Sequence, residues 1–543
     1  MKPLKVITSS ALCCLLPAVM AAQEAVQRKF KVPVLSGKEI NPVIRIRVDA
    51  KKENDTLRQV ALLLGGNAGL ENVRVYAAGA DSTLLKAEKM EGKILFAGTS
   101  APAAGKIVLE GKAALQRGAN YFWVTVAPSA ATQLAARLQI NTAAVRVNNR
   151  AINIAPDAYV HRLGVALRQH RQDGVHTYRI PGLATANDGT LLAVYDVRRE
   201  SGRDLQGHID IGLSRSLDKG KTWQPMQIVL DMGAWGGLPE KFNGVSDANV
   251  LVDKNTGHIF VAGLWMHGVI DSTGRWMEGL TADSTAWNHQ WKTKGSQPGF
   301  GEKQTSQFLI TKSTDNGATW SKPVNLTRMV KQENWWLLAP APGAGITLSD
   351  GTIAFPVQGR DEKGRGFSTI MYSKDGGQAW KTGKRAAPES TTENMAAQLS
   401  DGSIMLNMRF GGNSRDTGRT NGRVVAVTKD LGQSWAIHPT SRNALPEPAC
   451  MASIIRHGYI KNGKERSVLL FSNPDSKTAR KNQTIKISYD DGKTWSEKKI
   501  LLDEEKGRGY SCLTSIDSNT IGILYEGSQA DMVFQTIGLE ELL

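Results

Sequence analysis

An all-β chain, a six-bladed β-propeller preceded by a β-sandwich, is predicted by three observations. A short turn motif recurs five times. An alternating or apolar run precedes every copy. A long N-terminal stretch lacks the motif but carries strand-like segments of its own.

The motif opens on a hydroxyl residue, places Asp two positions later and Gly two after that, and closes on Trp. Its copies are Ser216–Trp223, Ser313–Trp320, Ser373–Trp380, Thr428–Trp435 and Ser488–Trp495. Asp-x-Gly is turn chemistry, because the carboxylate accepts backbone N–H bonds and Gly takes positive φ. The Trp is expected to pack back into its own hairpin, burying roughly 150–250 Å². The runs before the copies, such as Ile209–Leu213 and Gln483–Ile487, read as strands. From Trp320 to Trp495 the closing Trp residues lie 55 to 60 residues apart, room for one four-stranded sheet per copy. The first gap is 97 residues. It leaves room for a blade without the motif or for an insertion, and the polar, Gly-containing stretch Trp287–Gly301 reads as an insertion.

Residues 1–21 read as a signal peptide: Lys2 and Lys5 give a positive start, Ile7 to Val19 an apolar core, and Val19-Met20-Ala21 a cleavage site. Export is therefore expected, to the periplasm or the extracellular medium. The apolar run is too short to span a bilayer, and no later segment is long enough. Residues 22–155 form the expected sandwich domain, with strands around Ile44–Val48, Gln59–Leu64, Val73–Tyr76, Tyr121–Val126 and Ala144–Val147. Such a module is read either as carbohydrate-binding or as a packing platform. Residues 156–543 form the expected propeller.

The formal net charge of +16 falls to +14 without Lys2 and Lys5. The cations are scattered through turns rather than clustered with aromatics, which argues against nucleic acid and fits a solvated surface with a mild field for anionic glycans. Beyond the leader only Cys450 and Cys512 remain, read as two buried thiols or a single bridge. The nine His show no ligand spacing, so neither a metal nor a cofactor is expected.

Several charged residues sit at unusual places for strands. Arg179 lies in Tyr178-Arg179-Ile180-Pro181, Arg409 ends the apolar run Ile404–Met408, and Arg480 follows Leu469–Pro474. Three arginines from three blades can converge on one carboxylate, which the planar guanidinium grips in a bidentate manner. The Tyr-Arg-Ile-Pro element, the five repeats after it and these arginines in this order resemble a bacterial exo-α-sialidase from about Leu163 to Leu543. The resemblance implies that Arg179, Arg409 and Arg480 grip the sialic acid carboxylate and that Glu526 holds Arg179. It implies Tyr510 as nucleophile, Glu393 as its base (with Glu389 a local rival) and Asp204 as acid/base. It further implies Arg198 as a sugar-contacting residue, neighbouring Arg199 being the other possibility, and Asp247 on the N-acetyl and C4 side. Gln358 and Trp335-Trp336 are candidates for the rim or glycerol side, core packing being the other role for the two Trp residues.

A Tyr nucleophile has a reason. A sialoside carries a carboxylate on its anomeric carbon, so an attacking carboxylate would meet like charge, and sialidases depart from the two-carboxylate pattern of most glycosidases. The expected activity is retaining hydrolysis of terminal α-linked sialic acids on glycoproteins, mucins, oligosaccharides or glycolipids. The alternatives are a trans-sialidase, including an intramolecular one, and a non-catalytic propeller that binds glycan or protein.

Overall fold

The computed structural model describes residues 24–83 and 92–543. The predicted leader lies outside the described residues. The described residues are almost entirely β, with one four-residue α-helical turn among them at Thr327–Val330 and a few 3-10 turns. No helix among the described residues is long and apolar enough to cross a membrane.

The N-terminal part is a sandwich. One sheet runs Ala25–Lys29, Asn41–Ala50, Gly118–Pro128, Leu70–Gly79, Ile94–Ser100 in spatial order. Facing it are Thr56–Gly66, Gly105–Ala114 and Arg137–Val147. Alternate residues point inward, so Ile44, Ile46, Val60, Leu62, Val73, Val75, Phe122, Val124 and Val145 make a shared core.

From Thr177 onward five sheets of four or five strands follow, antiparallel apart from the parallel pairing of Asn249–Val250 with Gly343–Ala344, and a sixth set of strands belongs to a nine-stranded sheet that runs on into the sandwich. In the first, Thr177–Thr185, Leu191–Arg198, Ile209–Ser216 and Gln227–Leu230 pair in chain order. The innermost strands pack against one another around a centre, with Thr177–Thr185 lying between Val245–Val252 and Ser511–Asp517. The long gap between the first two Trp residues is filled by an insertion in the second sheet, between Ile259–Trp265 and Gln307–Ser313. The sixth sheet has no Asp motif. It is built from Ser511–Asp517, Thr520–Tyr525 and Met532–Gly538, and His161–Arg168 completes it by pairing Val165 with Phe534.

That last strand also joins the two parts of the molecule. Its first residues, His161 and Arg162, pair with Leu138 and Arg137 of the sandwich, and Leu163–Val165 pair with Val34–Ser36. Arg137 and Arg162 both bind Glu541, at 2.8 and 2.6 Å.

The five motifs share one geometry. In the first, Asp218 Oδ1 accepts the Thr222 N–H at 2.9 Å and the Ser216 hydroxyl at 2.9 Å, while Gly220 N donates to Ser216 Oγ at 2.8 Å. The motif glycines have φ of +79 to +90°. One expectation needs correcting. The motif does not only close its own hairpin, because its glycine abuts the preceding sheet. A Cβ on Gly220 would run into the Phe534 ring of the sixth sheet, on Gly317 into Leu192 of the first at 2.9 Å, and on Gly377 into Phe260 of the second at 2.7 Å. Trp223 stacks edge-on against Phe534 at 5.0 Å, and Trp380 against Phe260 at 6.1 Å. Each motif is thus a wedge between neighbouring sheets as well as a turn, which the spacing along one chain segment could not reveal.

Strand register places these wedges far from the chemistry. Thr185, Leu191 and Ser216 align at one end of the first sheet, whereas Thr177, Arg198 and Ile209 align at the other. Seven residues of extended chain separate the two ends, about 24 Å.

Candidate active site

The polar residues singled out in the sequence cluster where inner strands begin and second strands end. The local backbone explains how they leave the sheets. The innermost strands of the first, second and fourth sheets each shift register beside a site residue: between Arg179 and Gly182, between Ser246 and Asn249, and between Thr391 and Asn394. Ile180 and Asp247 sit at φ of +63 and +61°. Bulges of this kind redirect side chains away from the pleat, here toward the common centre.

The resulting cavity has a volume of about 410 Å³ and is lined by Arg179, Asp204, Asp247, Gln358, Glu393, Arg409, Arg480 and Tyr510, joined by His289, Trp291, Lys292 and Arg360, which the sequence reading did not single out. Larger grooves of 810 and 660 Å³ lie elsewhere, by Tyr459 and Tyr489 and by Trp223, without a comparable convergence of charged groups.

Tyr510 is the point on which the arginines converge. The Arg179 and Arg480 guanidinium carbons lie 5.1 and 5.4 Å from its ring centroid, and Arg409 Nη1 donates to its hydroxyl oxygen at 3.0 Å. The Tyr510 hydroxyl donates to Glu393 Oε1, and Arg409 Nη1 binds Glu393 Oε2 at 2.6 Å. Burial pushes the Tyr510 phenol well above its ordinary value and Glu393 pushes the same way, against Arg409, Arg480 and Arg179.

Glu526 is buried behind this group. Its carboxylate accepts Arg179 Nε at 2.8 Å and Nη2 at 3.2 Å, together with the Ile180 and Tyr510 backbone N–H groups at 3.0 and 3.2 Å. One carboxylate therefore fixes both the arginine and the backbone that carries the tyrosine. Burial would raise its affinity for a proton, but Arg179 and the two N–H donors hold it below its ordinary value. Arg480 differs from the other two arginines: it donates only to the Arg508 and Ala449 carbonyls, at 3.0 and 3.2 Å, and among the described residues it has no carboxylate partner.

Asp204 lies on the loop after Leu191–Arg198. Its Oδ1 accepts Arg198 Nη1 at 2.6 Å, its Oδ2 lies 3.1 Å from His289 Nε2, and Arg179 Nη1 is 4.0 Å away. Burial alone would raise this carboxyl. The His289 hydrogen bond and the charges of Arg198 and Arg179 outweigh burial and hold it well below the usual carboxylate range. Asp247 behaves oppositely: burial, then the charges of Asp196, Glu393 and Asp204, push it well above that range. Gln358 Nε2 donates to its Oδ2 at 3.3 Å. Counting Asp247 as charged, the wall carries five cations (Arg179, Lys292, Arg360, Arg409, Arg480) against three carboxylates (Asp204, Asp247, Glu393), so it favours an anion.

One placement differs from expectation. Arg198 does not line the cavity: it is fully buried behind the wall, spent on Asp196, Asp204 and the Gly202 carbonyl. Arg199, the other possibility, turns to Asp210 at 2.8 Å and is not on the wall either. Neither Glu389 nor the Trp335-Trp336 pair lines the cavity; Trp335 packs against Phe367 at 4.7 Å. Cys450 and Cys512 are buried free thiols, pushed up to about 11 and 12 by burial.

Sequence reasoning missed Asp196 and His289. Asp196 is fully buried and accepts from Arg198, the Ser246 hydroxyl at 2.6 Å and the Asp247 N–H at 3.1 Å; burial raises it to about 6. An Asp inside the apolar run Leu191–Val197 was the available signal. His289 lies in the insertion, whose weak patterning carried no signal for its destination.

A β-propeller with an N-terminal β-sandwich and a cationic cavity around a Tyr–Glu pair defines a class found among sialidases. Residues 180–526 match the BNR repeat-like domain, and residues 22–151 match the N-terminal domain of BNR-repeat neuraminidase. The chain is 39% identical to a sialidase of Bacteroides fragilis over 99% of both chains. It is 34% identical to a sialidase of Micromonospora viridifaciens over 65% of this chain and 50% of that one. A solved Hadza microbial sialidase superposes with a TM-score of 0.86 at 35% identity, covering 95% of this chain and all of the other. The fold is shared at 18% identity and a TM-score of 0.52 with an intramolecular trans-sialidase from Ruminococcus gnavus, over 69% of this chain and 97% of that one. The chain belongs to the bacterial BNR-repeat sialidases, a family of exo-α-sialidase glycoside hydrolases.

Proposed function

We propose that this chain is a retaining exo-α-sialidase that releases terminal α-linked sialic acids from glycoproteins, mucins, oligosaccharides or glycolipids. The observation that carries the reading is the hydrogen-bonded Tyr510–Glu393 pair set among Arg179, Arg409 and Arg480.

In this reading the substrate carboxylate settles on the three arginines. Arg480, with no carboxylate of its own, gains the most. Charge-assisted hydrogen bonds contribute roughly 1.5–3 kcal/mol each, and they fix the anomeric carbon over the Tyr510 oxygen. A free Tyr hydroxyl titrates near about 10, and burial raises this one, so it attacks only as its proton passes to Glu393. Asp204 gives its proton to the departing glycosidic oxygen. The Asp204 carboxylate then takes a proton from water as that water attacks the anomeric carbon. The bond to Tyr510 breaks, and Glu393 returns a proton to the phenolic oxygen. Two displacements at one carbon retain its configuration. Free Asp204 is ionised, so its acid form belongs to the substrate complex, where the bound carboxylate offsets Arg179 and Arg198. Asp247 and Gln358 offer hydrogen bonds to the sugar's polar groups, while Arg198 supports Asp204 and Asp196 from behind. The chain's leader-like start supports export, which fractionation of expressing cells tests directly.

The deciding experiment offers a chromogenic α-sialoside to the wild-type protein and to Tyr510→Phe and Asp204→Ala. Wild type releases the chromophore and both variants lose most of that activity. NMR of the first-formed sugar shows the α anomer of free sialic acid. A wild type no faster than the variants defeats the enzyme reading; a transferred or anhydro product makes it a trans-sialidase.

A further inference from the structure

Asp204 is placed by two sheets, not one. Its own loop belongs to the first sheet, yet the insertion of the second sheet lies over it. Trp287 Nε1 donates to the Asp204 carbonyl at 3.4 Å, Gln290 N donates to the Leu205 carbonyl at 3.4 Å, and Arg203 stacks over the Trp287 ring at 5.1 Å. The insertion is tied back on itself by Asn288, whose amide donates to the Ile270 and Thr293 carbonyls at 2.6 and 3.1 Å. His289, mostly shielded from solvent, projects from this loop into the cavity.

The imidazole has a defined tautomer. The Trp291 backbone N–H donates to His289 Nδ1 at 3.1 Å, so Nδ1 carries a lone pair. The proton of the neutral ring is then on Nε2, which faces Asp204 Oδ2 at 3.1 Å. The other oxygen, Oδ1, faces Arg198 Nη1 at 2.6 Å. Both carboxylate oxygens therefore meet donors, and neither donor can become an acceptor: a guanidinium keeps its protons, and the Trp291 N–H holds the His289 tautomer. A proton on Asp204 must take one of the lone pairs these two bonds leave free, and it weakens the bond at the oxygen it joins.

We propose that His289 is a positioning residue that keeps Asp204 an aimed carboxylate for the water-activating half of the reaction. The inference rests on the reading of Asp204 as acid/base. In that half the anomeric carbon–Tyr510 oxygen bond breaks, a water oxygen bonds the carbon, Asp204 Oδ accepts the water proton and Glu393 returns one to Tyr510. His289 touches no reacting atom; it sets the charge and direction of the group that does.

The test separates the two halves by time. An aryl α-sialoside with a good leaving group is mixed with enzyme in a stopped-flow instrument, and aryl alcohol is followed through the first turnover and into the steady state. In His289→Ala the first turnover keeps its wild-type rate and the steady state falls about 10- to 100-fold, the worth of one hydrogen bond to a charged group. A burst of aryl alcohol equal to the enzyme concentration appears. His289→Gln, whose amide N–H can reach Oδ2, recovers most of the steady-state rate. Equal slowing of both phases in His289→Ala, or a Gln variant as slow as Ala, overturns the inference. Asp204→Ala in the same assay separates the premise from the inference: unchanged kinetics there remove the acid/base role itself, whereas slow kinetics there with no burst in His289→Ala remove only the role of His289.

Discussion

Replacing Glu526 with Gln tests whether one buried carboxylate organises the site. The side chain is 1% exposed and accepts four N–H donors: Arg179 Nε and Nη2, Ile180 N and Tyr510 N. Gln keeps the shape but turns one oxygen into an NH₂ group. If the amide oxygen keeps Arg179 Nε and Ile180 N, the new NH₂ faces Arg179 Nη2 and Tyr510 N, two donors with nothing to accept them. Removing one partner of a buried ion pair costs about 3–5 kcal/mol, and the stranded backbone donor falls within that range. The loss is pH-dependent with a defined sign. The folded-state proton affinity of Glu526 is depressed, so its contribution is present above the unfolded value near 4.5 and lost as pH falls below it. Denaturant melts of wild type and Glu526→Gln therefore separate widely at pH 7 and draw together below about pH 4. In the sialoside assay the same variant raises KM, because Arg179 loses its bidentate hold, and lowers kcat, because the Tyr510 backbone loses its anchor. Melts that coincide at pH 7, or kinetics within twofold of wild type, refute the reasoning.

Two further outcomes follow from the fold. Gly220→Ala and Gly189→Ala place a Cβ at the same φ of +88°, but the first meets the Phe534 ring and the second meets nothing within 4 Å. Both pay for strained backbone, about 1 kcal/mol or more, while only Gly220→Ala adds overpacking of about 1–3 kcal/mol; equal shifts in Tm would show that the motif is not a wedge between sheets, and kcat should hold in both variants because the site is at the far end of the strands. His161, buried on the strand shared by sandwich and propeller, donates from Nδ1 to the Val32 carbonyl at 3.0 Å, and burial lowers it from 6.5 to about 4 despite opposing contributions from Val32 and Asp157 and with some help from Lys29. Its contribution is intact above pH 6.5 and lost as pH falls toward 4, about 3 kcal/mol in all, so His161→Asn should flatten the pH dependence of the melt across that window, and an unchanged slope would refute the assignment.

Much of this was legible in the chain. The Asp-x-Gly turns are local: a carboxylate, a hydroxyl and a positive-φ glycine within eight residues define their own geometry, whatever surrounds them. The sandwich strands around Ile44, Val60, Val73, Phe122 and Val145 are likewise readable as short strand-like runs with turn signals between them. Arg179, Arg409 and Arg480 stood out as charged residues at unusual places for strands, Glu393 and Tyr510 were implied by the resemblance, and the structure brings all five to one cavity.

Other features depend on contacts between segments distant in sequence, and no local pattern encodes those. Adjacent Arg198 and Arg199 are chemically identical; strand alternation sends one to Asp196 and Asp204 and the other to Asp210. The motif glycines became wedges only once neighbouring sheets closed on them. His289 and Asp204 are 85 residues apart, and their meeting depends on how the insertion of the second sheet folds over the first. The sequence by itself determined turns, strands and the inventory of reactive groups, because these rest on short-range sterics and hydrogen bonds. Tertiary structure alone decided which groups face one another, and with that which carboxyl is held ionised at Asp204 and which is pushed toward its neutral form at Asp247, since burial and neighbouring charge exist only after the sheets have packed.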